Sequence, residues 1–168
     1  FAILSYAGEV ISFIMGFTMA SIMDPQTGVQ TPIIANILNL LALMTMFALN
    51  VHHDLIIFMH TSLTYVPLGG FVASHNIAEY AVKASIDIFL IGFSIAFPVV
   101  SLSLLLDVIF GMLMKTMPQF TLLVIGFPIK ISISFFVIIA IVSSIIGIFE
   151  EGFLKIFNDL PKLFYNNG

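Results

Sequence analysis

Apolar runs, cut by short polar or proline-bearing breaks, set the plan of this chain. Residues 1–23 are apolar except for scattered Ser, Thr and Gly and one acid, Glu9. The run is long enough for a helix that crosses a bilayer, which takes about 20 residues. Asp24-Pro25-Gln26-Thr27-Gly28 stops it, because Pro25 and Gly28 disfavour helix and Asp24 before a proline favours a turn. Thr31-Pro32 starts a second helix: Thr31 can cap free N–H groups, and a proline in the first turn needs no N–H partner. Residues 33–49 follow, and the spacing of Asn36, Asn39 and Asn50 puts their amides on nearly one face. An unpaired amide is costly in hydrocarbon, so that stripe is expected to face protein.

His52-His53-Asp54 forms a polar break before a shorter apolar run over 55–66. Residues 67–75, with Pro67 and Gly69-Gly70, read as a loop. Asn76-Ile77-Ala78-Glu79 has capping-box spacing and opens the next helix. Glu79, Lys83 and Asp87 make one charged stripe along it. Residues 88–106 are apolar around Pro98, and Asp107 closes the run. A short piece over 108–114 ends at Lys115 and Met117-Pro118-Gln119. Residues 120–149 carry a single charge, Lys130, and an interior proline, Pro128. Pro98 and Pro128 each remove a backbone hydrogen bond, so a kink or a break is expected at both. In residues 150–168, Phe153, Ile156, Phe157, Leu160 and Phe164 gather mostly on one face, interrupted by Pro161. Such a tail resembles an amphipathic helix lying on a membrane or a partner.

The pattern predicts an all-α, membrane-associated protein of broken and kinked hairpin helices, forming one domain over residues 1–168. Backbone polar groups inside a bilayer must be satisfied internally, which favours helices for such runs.

Composition narrows the class further. Of 168 residues, 60% are apolar and 8% charged, and the mean hydropathy is +1.17. Soluble domains carry about 25% charge. Five basic and nine acidic residues could not cover a soluble globule of this size. A soluble enzyme and a disordered chain are excluded, as is a nucleic-acid binder, which needs a basic face. Cysteine is absent, so there is no disulfide or thiolate chemistry. The first run has no basic leader and no small-residue cleavage signal. The chain is therefore expected to be part of a longer protein.

Candidate chemistry is sparse. His52, His53, His60 and His75 do not have the spacing to converge three metal ligands. A cap or polar contact at a helix junction suits His52 and His53 better. Ser5, Ser12, Ser101, Ser103, Ser143 and Ser144 have no neighbouring His–Asp pair to activate them. They read, with several glycines, as small residues that let helices pack closely. No Gly-rich phosphate loop occurs. No catalytic residue, metal or cofactor is expected. Glu9, Asp87, Asp107 and Lys130 lie in or beside candidate spans, where ionisable groups are expensive and often functional. Two readings stay open for them: a proton or ion path, or contacts at an interface or with partner subunits. The nine Met and eighteen Phe supply adaptable apolar bulk.

The order and spacing of several breaks are similar to one family. They are Asp24-Pro25-Gln26-Thr27-Gly28, Asn50-Val51-His52-His53, Pro67-Leu68-Gly69, Pro118-Gln119 and Gly126-Phe127-Pro128-Ile129-Lys130. Together they resemble the FliR family of flagellar export-gate proteins, related to the corresponding component of virulence type III secretion. The resemblance runs through nearly the whole chain and implies the C-terminal two thirds of such a protein. It implies a helical gate in the bacterial inner membrane at the flagellar basal body. One such subunit joins copies of FliP and FliQ there, FlhB wraps the closed entrance, and unfolded flagellar proteins pass through. It also implies helices assembled largely into a protein cone raised out of the bilayer.

By alignment of these motifs, residues 16–32 would form a plug loop in the channel. Phe17, Met19, Ile22 and Met23 would be its apolar bulk, and Asp24, Pro25 and Gly28 its irregular backbone. Asn50, His52, His53, Pro98, Asp107, Pro118, Gln119, Pro128 and Lys130 would mark helix breaks and subunit contacts. The alternative is a subunit of a small-solute transporter or channel with broken helices, for which inverted repeats are expected. None is found in the sequence.

Overall fold

The computed structural model describes residues 1–17, 32–65, 75–117 and 125–165. Among these residues there are five helices and no strand: α1 (Ala2–Met15), α2 (Ile33–Ala48), α3 (Val51–Tyr65), α4 (His75–Thr116) and α5 (Phe127–Tyr165).

Helix α1 is short, yet it forms the middle of the fold, packed between α2 and α4. Its buried residues are Leu4, Ala7, Gly8, Ile11, Ser12 and Met15, the three-and-four spacing of one helical face. That face meets Ile34, Leu38 and Ala42 of α2 and Ile95, Ala96 and Val99 of α4 in one apolar cluster, which Ile138 and Ile145 of α5 complete. Close approach depends on Gly8. A Cβ placed there would overlap the backbone of Ala35. Asn39 adds a polar tie, its Nδ2 donating to Ser5 Oγ at 2.8 Å. Gly16 ends α1 in the left-handed region (φ 87), and its N–H returns to the carbonyls at the end of the helix.

The break after α2 falls at Leu49-Asn50, and α2 and α3 meet at 76°. Asn50 has φ 57, the one positive φ outside glycine among the described residues. Asn tolerates this region better than most residues. The break thus precedes His52-His53-Asp54, which lie in the first turn of α3, where the acid complements the helix dipole. Because α2 ends at Ala48, Asn50 leaves the expected amide stripe. Pro32 caps α2 from outside, so Ile33 rather than the proline is the first helical residue.

Helices α4 and α5 are each long enough to cross a membrane, and α2 with α3 is apolar enough to form a third, bent span. Several expected breaks are corrected here. Helix α4 continues through Pro98 without ending. A helix-interior proline costs about 3 kcal/mol. Ile95, Ala96 and Val99 are buried in the central cluster on either side of Pro98, and their packing holds the helix together. Asp107 lies inside α4 and does not close it. Pro128 lies in the first turn of α5, after a wider π-type turn at 125–126, where a missing N–H costs little. The tail is not a separate element, since α5 stays helical through Pro161 to Tyr165. The breaks expected at 67–75 and at Met117–Gln119 fall largely outside the described residues, between the end of α3 at Tyr65 and the start of α4 at His75 and beyond Met117.

Replacing Gly8 with valine must push α1 away from α2. Overpacking of this kind costs about 1–3 kcal/mol. A lower Tm in detergent and a lower level in the membrane are expected for Gly8→Val in the full-length protein. Gly111→Ala, at a position with open space around it, should leave both readouts near the parent.

Candidate functional site

The charged centre of the described structure is a pair on the α4–α5 hairpin. Lys130 is 5% exposed. Its Nζ donates to Asp107 Oδ1 at 2.9 Å and to Oδ2 at 2.8 Å. Lys130 sits near the N-terminus of α5, where the helix dipole disfavours a cation, so the carboxylate is its compensation. The Asp107 side chain is 43% exposed. One turn further along both helices, the hydroxyls of Ser103 and Ser134 lie 3.4 Å apart and buried. One turn beyond, Val99 and Ile138 are buried. The seam is therefore ionic, then hydroxyl, then aliphatic, and it fixes an antiparallel register. A second pair, Lys155 to Asp87 at 3.6 Å, bridges the same helices far from the first, and both its partners are well exposed. Such a pair contributes about 0–1 kcal/mol.

The structure brings Asp107 and Lys130 together within one chain. The sequence signal was present in retrospect: two lone charges in otherwise uncharged runs, on either side of a turn. Ser103 was singled out for packing, and its pairing with Ser134 was not anticipated. His52 is half-buried, with its ring 5.2 Å from Phe47 and 4.1 Å from His53. Its Nδ1 is buried with no hydrogen-bond partner among the described residues. His53 and His60 are exposed. Both His52 and His53 thus sit at the α2–α3 junction, as read from the sequence.

Of the expected plug, Phe17 packs against the central cluster and is partly buried. Met19, Ile22, Met23, Asp24, Pro25 and Gly28 lie outside the described residues, as do Pro118 and Gln119. The point of departure is defined, however. A Cβ on Gly16 would lie 2.5 Å from the ring of Phe127. The end of α1 is therefore seated on the first residue of α5, close in sequence to Lys130.

Unequal burial makes the two halves of the ion pair unequal in cost. Asp107→Leu leaves a buried ammonium without a counter-charge, at a cost of about 3 kcal/mol. Lys130→Met leaves a carboxylate that water can still reach, at a cost of about 1 kcal/mol. Thermal unfolding of the purified full-length protein should rank Asp107→Leu well below Lys130→Met. The double substitution should recover most of the loss.

The description "Bacterial export proteins, family 1" belongs to a family model that matches residues 1–156. The flagellar biosynthetic protein FliR of Bacillus subtilis (strain 168) is 33% identical over 155 residues, covering 90% of this chain and 60% of the relative. The protein of the same name from Escherichia coli (strain K12) is 33% identical over 163 residues, covering 97% and 62%. That from Buchnera aphidicola subsp. Acyrthosiphon pisum is 28% identical over 167 residues, covering 99% and 63%. The chain spans about three fifths of the length of these curated relatives. With the match running through α1 to α5, the chain belongs to the bacterial export proteins, family 1, whose matched relatives carry the name flagellar biosynthetic protein FliR.

Proposed function

We propose that this chain is a structural, pore-forming part of the flagellar type III protein export gate, which conducts unfolded flagellar subunits across the bacterial inner membrane. The observation that carries the proposal is the family match over residues 1–156, with relatives named for flagellar biosynthesis. The surface supports it. Large apolar side chains are exposed along the chain, among them Leu40, Met44 and Phe47 on α2 and Ile56, Ile57 and Met59 on α3. A bent helix pair with such faces is suited to burial against other helices. In this proposal FliP and FliQ subunits provide them, and FlhB wraps around the closed entrance.

The chain orders and seals a path and performs no reaction of its own. Residues 16–32 act as the closure. Irregular backbone at membrane depth is tolerated where protein buries it or where it lines a cavity. With Phe17 packed on the central cluster, Met19, Ile22 and Met23 fill the path, and unbranched Met repacks when it opens. Gly16, held against Phe127, fixes where the segment leaves α1.

Two measurements test this. Affinity purification of the full-length protein from native membranes should bring down FliP and FliQ; their absence from an otherwise intact preparation contradicts the gate. Shortening residues 18–29 should raise ion leakage across the membrane several-fold while assembly persists. Unchanged conductance in an assembled complex would make the segment a connector and remove the plug.

A further inference from the structure

Pro98 leaves a gap in the hydrogen bonding of α4 that the described chain does not fill. A proline has no N–H, so the carbonyl four residues back, that of Ser94, loses its helical partner. No side chain among the described residues donates to it instead. The hydroxyls on that face are committed elsewhere: Ser94 Oγ donates to the carbonyl of Leu90 at 2.8 Å, and Ser101 Oγ to that of Pro98 at 3.1 Å. Each hydroxyl hydrogen is thereby spent, while its oxygen can still accept. The result is a patch of three acceptors, the Ser94 carbonyl and two hydroxyl oxygens, with no free donor.

Ser94, Pro98 and Ser101 follow one another at four and three residues, so they share one face of α4. Both serines are exposed, and Pro98 is half-buried. The large residues around them are exposed too: Leu90 at 63%, Phe97 at 55% and Leu105 at 55%. A polar patch is thus set in an apolar surface that no described helix of this chain covers. In water, solvent meets the acceptors. An assembly that buries Leu90, Phe97 and Leu105 also strips that water, and an unmet carbonyl then costs about as much as a lost hydrogen bond. Between packed apolar helices, a carbonyl freed by proline is met by a neighbouring helix. The sign of the requirement is fixed: acceptors alone attract N–H groups and repel carboxylates.

We propose that the Ser94–Pro98–Ser101 patch is a docking point for a helix of a neighbouring subunit that places a side-chain N–H donor, from Asn, Gln, Lys or Arg, over the Ser94 carbonyl. The inference rests on the proposed assembly with other subunits, and not on what that assembly conducts. The apolar rim packs the partner helix, and the acceptors fix its rotation and height. Pro98 then has a use that offsets its local cost to α4, because any other residue would close the Ser94 carbonyl with its own N–H.

The test uses the full-length protein, alone and co-expressed with the other gate subunits. Pro98→Ala restores the N–H and closes the carbonyl. Alone in detergent, the variant should melt no lower than the parent, since proline is unfavourable inside a helix. In the assembly it should hold the neighbouring subunits about five-fold less well, the effect of one net hydrogen bond. Benzoylphenylalanine in place of Phe97, activated by light, captures the neighbour, and peptide mapping locates the facing helix. Replacing the donor found there with Leu should cost a similar factor, and adding Pro98→Ala to it should cost little more. Additive losses would mean that the two groups do not meet, and would overturn the inference. Capture of lipid alone, or of a helix without Asn, Gln, Lys or Arg at the cross-link, overturns it as well, as does a Pro98→Ala complex that holds as well as the parent. A parent protein that purifies with no other subunit overturns the gate itself, and the inference with it.

Discussion

An ammonium buried in a chain that is only 8% charged needs a counter-charge within reach, and much of the hairpin follows from that constraint. Lys130 finds it in Asp107, on the facing helix. A buried ion pair adds little net stability over an apolar seam, but it strongly disfavours any arrangement that separates its members. The α4–α5 hairpin has apolar faces that could slide along each other at little cost. Ion pair and serine pair together select one register.

Packing does comparable work on the other side of the molecule. Helix α1 buries one face against α2 and α4, and Gly8 lets it approach Ala35 at backbone distance. Without lipid or water between them, helices associate in such surroundings through close packing of small residues. Residues of the same cluster flank Pro98, and α4 remains one helix across it. At Gly16 the backbone turns into the left-handed region, and the ring of Phe127 occupies the space a side chain would need. The start of the segment proposed to close the path is therefore tied to the same hairpin end that carries Lys130.

What remains outward is also informative. Aliphatic and aromatic side chains cover much of the exposed faces of α2, α3, α4 and α5, and four of the few charges are taken up in two pairs between α4 and α5. Such a chain gains by covering those faces with hydrocarbon or with other helices. The proposed gate subunit provides such cover in the helices of neighbouring subunits.

The sequence by itself determined the class and the outline. Apolar runs with so little charge dictate helices that satisfy their own backbone, and the motifs ordered along the chain carried the family. Local chemistry was enough where a break depends on local chemistry: Asn50 can enter the left-handed region, and α2 ends beside it. It failed where distant residues outweigh a local preference. A break at Pro98, one of the two outcomes expected there, does not form, because buried side chains on either side hold the helix together. Asp107 looked like the end of a run because its partner is 23 residues away and invisible to any local window. Only the tertiary structure could join Asp107 to Lys130 and set the register, because that contact lies between helices and no stretch of sequence alone contains it.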